Sequence, residues 1–322
     1  MQETTRNSPS PALPDAFGSA RIAVLVPCYN ESATVSSVIR DFQAHLPSAQ
    51  IYVYDNASTD DTAFIARAAG AQVRHEPLRG KGNVVRRMLA DVDADIYVLV
   101  DGDGTYDAAS APAAIQRLLD EQLDMVNCAR VPVAESAFRP GHASGNRILS
   151  GIVKWIFGDR IRDMLSGYRI MSRRFVKSFP AFSAGFEIET ELTVHALELR
   201  IPLAEIPTPY SERPEGSASK LNTISDGARI LKLIFHLVKE ERPLQFFSWT
   251  FIVLAALAVL LGLPIIHTFL QIGLVPRMPT AILATGLAIL AFLALTCGLI
   301  LDTVTRGRRE TKRLFYLSQV PR

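Results

Sequence analysis

Residues 99–107 read Leu99-Val100-Asp101-Gly102-Asp103-Gly104-Thr105-Tyr106-Asp107 and continue an apolar run that begins at Ile96. A short apolar run that ends in Asp and Gly predicts a buried strand followed by a loop, and open α/β sheets bind ligands at such carboxyl ends. Side chains two apart share a face in extended backbone, which would aim Asp101 and Asp103 the same way. Paired carboxylates suit a divalent cation that also holds diphosphate oxygens. A plain Asp/Gly turn is the alternative that this stretch leaves open.

Three earlier apolar runs show the same organisation. Residues 22–27, 50–54 and 71–74 are strand-like, and each run leads into polar residues and then into a helical pattern. Because parallel strands need crossover helices, the chain predicts a doubly wound α/β domain with its functional loops at one edge of the sheet. Ser32 or Thr34 is expected to cap the first helix. Each loop alone also fits a simple strand end or helix cap.

Composition narrows the class of protein. The chain has 322 residues and a formal net charge of +2, so a general polyanion-binding role is not indicated and no nucleic-acid partner is expected. Its three cysteines are far apart, which argues against a disulfide framework and for a reducing compartment. Residues 1–20 are rich in Pro, Ser, Thr and Ala and are predicted to be a disordered leader.

The C-terminal part predicts a membrane anchor. Residues 246–270 and 280–301 are uncharged and about long enough to cross a bilayer core of roughly 30 Å. They predict a transmembrane hairpin over 246–304, with a buried core hairpin as the alternative. Cations flank the two segments: Arg229, Lys232, Lys239 and Arg242 before the first, and Arg306, Arg308, Arg309, Lys312 and Arg313 after the second.

This charge distribution predicts that both ends of the hairpin face the cytoplasm, with the protein in the inner (cytoplasmic) membrane. Residues 223–245 are predicted to form an amphipathic juxtamembrane helix on anionic membrane lipids, and residues 305–322 a basic cytoplasmic tail.

Four motifs in series resemble the family-two glycosyltransferases of the GT-A fold. They are Val26-Pro27-Cys28-Tyr29-Asn30-Glu31, Asp55-Asn56-Ala57-Ser58-Thr59-Asp60, Arg79-Gly80-Lys81-Gly82 and Asp101-Gly102-Asp103. The hairpin makes the chain similar to dolichyl-phosphate mannose synthase and bacterial polyprenyl-phosphate glycosyltransferases. The resemblance implies an α/β GT-A catalytic domain over 21–222, a doubly wound mixed sheet, and inverting transfer of a hexose from a UDP- or GDP-linked sugar to polyprenyl or dolichyl phosphate.

The resemblance also implies a donor site and a Mg²⁺ or Mn²⁺ ion. The side chains that would line the nucleotide site are Pro27, Tyr29, Glu31, Asp55 and Lys81. Asp101 would contact the ribose or the metal side of the nucleotide, and Asp103 would bind the metal. In related enzymes a third polar side chain can join the metal. Thr105 takes that position here and Asp107 is a spare candidate, so the third ligand stays open.

On the acceptor side the resemblance implies that Arg130 and Arg147 hold the lipid phosphate, together with Arg213 or Lys220. Arg147 precedes the apolar segment 148–157, which would lie against the membrane or pack in the core. Arg213 and Lys220 belong to a segment that resembles the Arg-x-x-Gly-x-Ser-Lys loop, which closes over the donor diphosphate and the acceptor phosphate. Arginine suits phosphate because its guanidinium donates two parallel hydrogen bonds.

Two acidic positions complete the implied site. Asp163, in a segment similar to Asp-x-x-Ser-Gly-Phe/Tyr-Arg, aligns with the carboxylate proposed as the base. A lipid phosphate has a second pKa of about 6 and needs little deprotonation, so Asp163 could instead orient the acceptor, steady positive charge at the anomeric carbon, or cap a helix. Glu187 or Glu189 would face the sugar; Glu187 is nearer the helix start, where the helix dipole alone also favours a carboxylate.

Other functions remain compatible with these residues. The chain could be a glycosyltransferase with another lipid or glycan acceptor, or a catalytically silent membrane subunit that binds nucleotide sugars. A homo-oligomer is possible, although no sequence feature sets the number of subunits.

Overall fold

The computed structural model describes residues 17, 19–133, 151, 160–185, 187–214, 239–240 and 242–319. Several predictions lie outside these residues. They are the leader up to residue 16, Arg147 with the apolar segment 148–157 apart from residue 151, Lys220 in its loop, and most of the juxtamembrane helix.

A seven-stranded mixed sheet forms the centre of the fold. The strands are β1 (Ile22–Cys28), β2 (Gln50–Asp55), β3 (Gln72–His75), β4 (Ile96–Leu99), β5 (Met125–Pro132), β6 (Arg169–Ser172) and β7 (Leu203–Tyr210). Their spatial order is β3-β2-β1-β4-β6-β5-β7. The pairs β2–β3, β1–β2, β1–β4 and β5–β7 are parallel, whereas β6 is antiparallel to both β4 and β5. The predicted doubly wound mixed sheet is therefore confirmed.

Helices cover both faces of this sheet. They are α1 (Val35–His45), α2 (Thr62–Ala68), α3 (Lys81–Asp91), α4 (Ala111–Asp120), α5 (Arg173–Ser178) and α6 (Ile188–Leu199). Because both faces are covered, all four residues of β4 are buried, and their apolar run is continuous rather than alternating. Two apolar cores result, one on each face.

The first helix begins differently from the sequence expectation. Thr34 occupies the N-cap position of α1, but its side chain caps no helical N–H group. Its hydroxyl donates instead to the carbonyl of Gly102 at 2.6 Å. Ser32 lies two residues before this N-cap position, and its backbone N–H donates to Asp60. Thr34 therefore ties α1 to the loop that follows β4.

Two long helices follow the described part of the domain. Helix α7 (Pro243–Ile272) has 30 residues and α8 (Met278–Ser318) has 41, and both are long and apolar enough to be candidate membrane spans. Gly298 allows them to pack closely, since a Cβ there would lie 2.8 Å from the Cβ of Phe247. Helix α8 continues without a break to Ser318, so most of the predicted basic tail from residue 305 is helical.

Candidate active site

The loop after β4 brings the two aspartates to the carboxyl edge of the sheet. β4 ends at Leu99, so extended geometry does not persist to Asp101 and Asp103. Gly102 lies against β1, where a Cβ would lie 2.6 Å from the Cys28 sulfur, and Gly104 turns the chain at a φ of +72°. The side chain of Asp101 is 25% exposed, whereas that of Asp103 is 4% exposed. The two carboxylates therefore occupy different environments.

Asp103 is a buried carboxylate with a cation beside it. Burial raises its pKa and the nearby Asp101 raises it further, while Arg213 and Thr105 oppose the shift. The Arg213 guanidinium lies 2.6 Å from Oδ2, and the Thr105 hydroxyl donates to Oδ1 at 2.7 Å. Thr105 thus orients Asp103.

The donor set fits part of a divalent metal shell. Asp101 and Asp103 supply hard oxygen ligands, and two neighbouring carboxylates are a donor set that a divalent cation accepts. Within the described residues no three His, Cys, Asp or Glu side chains form a metal-binding group. A metal here would take its remaining ligands from a diphosphate and water, as Mg²⁺ commonly does.

Lys81 connects Asp101 with Glu189. It is the first residue of α3, and its ammonium contacts both carboxylates in a largely buried position. Burial lowers the pKa of Lys81, but Asp101 and Glu189 outweigh burial and raise it above its ordinary value. Lys81 is therefore a permanent cation between two elements of the site.

The structure distinguishes the positions of Glu187 and Glu189, which the sequence alone leaves as alternatives. Glu189 lies in the first turn of α6 and faces Lys81 and Asp101. Glu187 precedes the helix at its N-cap, where its carboxylate lies over the position that a Cβ of Gly185 would take. The structure thus brings Glu189 to the cluster, while the role predicted for Glu187 stays a prediction.

Most of the residues predicted to line the nucleotide site lie at the ends of β1 and β2. Pro27 and the buried Glu31 flank Tyr29, whose ring has the Arg79 guanidinium carbon 5.4 Å from its centroid. Asp55 ends β2; its Oδ2 accepts from the Ser58 N–H at 3.4 Å and lies 3.2 Å from His75 Nδ1.

Asp55 Oδ1 is buried and has no hydrogen-bond partner among the described residues. It can accept a hydrogen bond from a ligand. Asn56, which the sequence reasoning did not single out, accepts from the N–H of Gly80 at 2.7 Å and donates to the carbonyls of Glu76 and Leu78. Asn56 therefore fixes the loop before Lys81.

Asp163 and Arg130 form one buried pair. Arg130 Nε and one terminal nitrogen each lie 2.7 Å from a different carboxylate oxygen of Asp163, and the Arg130 backbone N–H donates to it at 3.0 Å. Burial raises the pKa of Asp163, but the hydrogen bonds and charge of Arg130 outweigh burial and hold the pKa below its ordinary value. Asp163 is thus an ionised, paired carboxylate, which suits positioning better than proton abstraction.

Arg169 is a buried residue whose role the sequence reasoning missed. Its side chain is fully buried and donates to the carbonyls of Met164 at 2.9 Å, Ser166 at 3.2 Å and Glu189 at 2.8 Å. Burial lowers its pKa to about 10. Arg169 therefore clamps the Asp163 loop to helix α6. The sequence shows that Arg169 belongs to the Asp-x-x-Ser-Gly-Tyr-Arg segment, but it does not show that the side chain points into the protein interior.

A glycine in this loop gives a direct test of the packing around Asp101. A Cβ at Gly167 would overlap the carboxylate of Asp101. Gly167→Ala is expected to displace Asp101 from Lys81 and to weaken nucleotide binding by about tenfold or more, measured by calorimetry. Gly286→Ala is the matched control, because a Cβ at Gly286 meets nothing within 4 Å. Unchanged nucleotide affinity in Gly167→Ala would contradict this assignment.

Comparison with known proteins identifies the family. Residues 23–179 match the family described as Glycosyl transferase family 2. Glycosyltransferase AglJ from Haloferax volcanii is 34% identical over 228 residues, which cover 70% of this chain and 75% of that protein. The chain belongs to glycosyl transferase family 2.

Two further similarities are found. A dolichyl-phosphate hexose transferase from Haloferax volcanii is 26% identical over 221 residues, covering 69% of this chain and 95% of that protein. The crystal structure of glucosyl-3-phosphoglycerate synthase from Mycobacterium tuberculosis, in complex with Mn²⁺, UDP and glucosyl-3-phosphoglycerate, is 26% identical. It aligns with a TM-score of 0.55 over 69% of this chain and 80% of that one. The predicted GT-A fold class is confirmed.

Proposed function

We propose that this family-2 glycosyltransferase is anchored in the inner membrane, faces the cytoplasm, and transfers a hexose from a UDP- or GDP-linked sugar to polyprenyl phosphate with inversion. One observation carries the proposal. The charged groups Asp101, Asp103, Lys81 and Arg213 converge at the carboxyl edge of the sheet, in a chain that also carries two candidate membrane spans. The first feature fits a nucleoside diphosphate, and the second fits a lipid acceptor.

The proposed donor site is supported by one unsatisfied polar atom and by the two aspartates. Asp55 Oδ1 is a buried acceptor that fits a ring N–H of uracil or guanine. Asp101 and Asp103 would hold a divalent cation, in line with the related synthase structure, which is a complex with Mn²⁺ and UDP. When bound, that cation offsets negative charge on the diphosphate.

The leaving group is stabilised by this chain's own cations. As the anomeric carbon–oxygen bond breaks, its electron pair stays on the nucleoside diphosphate, whose charge grows. Lys81 and Arg213 are fixed by carboxylates before the donor arrives, so little reorganisation is needed when the charge develops.

The acceptor needs positioning more than activation. A phosphate oxygen attacks the anomeric carbon from the face opposite the leaving diphosphate, and the new bond inverts that carbon. A phosphate monoester with a second pKa of about 6 is mostly a dianion at neutral pH, so no general base is required. Asp163 orients Arg130, and we assign Arg130, Arg147 and Lys220 to the acceptor phosphate.

A water-soluble acceptor is the second candidate. The related synthase is named for 3-phosphoglycerate, which also carries a phosphate. The two candidate spans and the relative named for dolichyl phosphate favour the lipid.

The experiment is a partition assay with the purified chain in vesicles. Radiolabelled UDP- or GDP-hexoses are offered with undecaprenyl phosphate or with 3-phosphoglycerate. Label is expected in the organic extract only with the lipid phosphate; chelation should abolish it, and Mg²⁺ or Mn²⁺ should restore it. Label that appears only in a water-soluble product would contradict the lipid acceptor, and full activity in chelator would contradict the metal.

A further inference from the structure

Helix α8 is longer than a bilayer span requires. Its 41 residues correspond to about 60 Å, roughly twice the thickness of a bilayer core. Its apolar part ends near Asp302, which forms a 2.7 Å ion pair with Arg306 one turn later. Residues 302–318, here called the α8 extension, continue as regular helix and contact the domain that carries the candidate active site.

The first contact is at the far end of helix α6. Lys312 Nζ lies 2.7 Å from Glu198 Oε2, and Arg309 Nε lies 3.8 Å from Glu198 Oε1. The side chain of Glu198 is 1% exposed, so its carboxylate lies buried beside these cations. Glu189, which contacts Lys81 in the site, lies about 14 Å along the same helix.

The second contact is at the start of strand β5. The Tyr316 hydroxyl donates to Asp124, and the Tyr316 ring belongs to the apolar core. The Arg174 guanidinium carbon lies 4.6 Å from the centre of that ring, and Arg174 also pairs with Asp124 at 2.7 Å. Asp124 directly precedes β5, whose other end carries Arg130. The α8 extension therefore holds two elements that each carry a site residue.

We propose that the α8 extension is a strut that fixes the height and orientation of the active site over the membrane surface. The proposal rests on the proposed function, because only an acceptor held in a bilayer requires such alignment. Glu198, Lys312 and Tyr316 are then positioning residues that touch no substrate. Misplacement of reacting groups by about 1 Å can cost about 10²-fold in rate, so a loose strut would be costly.

The first test compares two acceptors. Lys312→Glu/Tyr316→Ala is assayed with undecaprenyl phosphate in phosphatidylethanolamine and phosphatidylglycerol vesicles, and with water-soluble geranyl phosphate. We expect a loss of about tenfold or more with the lipid and less than about twofold with geranyl phosphate. Arg306→Glu is the control, because it makes the same change in charge and its side chain is 74% exposed. Equal losses with both acceptors, or none with either, would overturn the strut.

A second variant leaves both contacts intact. Inserting Gly-Gly-Ser between Arg306 and Gly307 interrupts the helix before Lys312 and Tyr316, so the soluble domain keeps its packing. The same selective loss with the lipid acceptor is expected, because only the rigidity of the connection is removed. A fully active insertion variant would contradict a rigid strut.

A third measurement does not depend on catalysis. Spin labels on exposed residues Gln116 and Leu274, in a Cys297→Ser background, report the distance between the soluble domain and the hairpin loop. A narrow distance distribution is expected in the wild-type chain and in Arg306→Glu, and a broad one in both strut variants. A broad distance distribution in the wild-type chain would overturn the strut proposal. A narrow distribution in a chain that transfers no hexose to undecaprenyl phosphate or to geranyl phosphate would contradict the proposed function alone.

Discussion

Asp103→Asn is expected to lower hexose transfer by about 10³-fold or more and to weaken Mn²⁺ binding in the presence of nucleotide. The substitution keeps the size of a side chain that is almost fully buried, but removes the charge that faces Arg213 and the proposed metal. Initial rates at saturating donor and Mn²⁺ titrations by electron paramagnetic resonance would measure the two effects.

Asp107→Asn is the matched control for this prediction. Asp107 lies four residues further along the same loop, but its carboxylate accepts from Ala109 N–H and the Ser110 hydroxyl and so caps a short helix. We expect near wild-type transfer and at most about 1 kcal/mol of lost stability. A comparable loss of metal binding in Asp107→Asn would show that the metal ligands are wrongly assigned.

Arg130→Met is expected to have the second largest effect. It leaves Asp163 buried without its main partner, so the free energy of unfolding should fall by about 3–5 kcal/mol. Transfer should also fall by about 10²-fold, because the acceptor side loses a positioned cation. Denaturant titration in detergent and initial rates would give the two values. Arg87→Met is the control, since the partner of Arg87, Asp91, is also held by Arg74.

The double variant Arg130→Met/Asp163→Leu separates the two effects and adds a pH dependence. Removing both charges should restore much of the stability but not the activity. The folded-state pKa of Asp163 is lowered, so the pair stabilises the protein above the ordinary carboxyl pKa of about 3.9, and that stability is lost as pH falls through the lower value. The stability of Arg130→Met relative to wild type should therefore recover as the solution becomes strongly acidic. A pH-independent difference would contradict the ionised pair.

Local patterns were sufficient for much of the fold. Continuous apolar runs identified β1 and β4, and the polar residues after them identified the functional edge, because strand periodicity and turn chemistry are local properties. Strand β6 has only four residues, and its antiparallel place between β4 and β5 depends on partners more than forty residues away. Its position in the sheet could not be derived from local sequence.

The side-chain orientations and contacts in the candidate site depend on tertiary packing, which cannot be derived from local sequence patterns. Glu187 and Glu189 are two residues apart, and such residues point in nearly opposite directions on a helix. Helix α6 is oriented by Ile188 and Leu192, which are buried in the core, and in this orientation Glu189 faces Lys81. Arg169 is recognisable in the sequence as part of a motif. Its three carbonyl partners come from two separate segments, so its contacts could not be derived from that motif. The basic residues after 305 predict a basic tail, and no local pattern there shows that Lys312 pairs with the buried side chain of Glu198.

The central claim is that the phosphate of a membrane lipid receives the hexose. Its most direct test is mass spectrometry of the organic extract after the vesicle-embedded chain has reacted with undecaprenyl phosphate and each candidate donor. We predict one new species whose mass equals undecaprenyl phosphate plus a single hexose residue, absent with Asp103→Asn. An extract containing only unmodified lipid phosphate with every donor, while nucleoside diphosphate is released and hexose joins a water-soluble acceptor, would contradict the account.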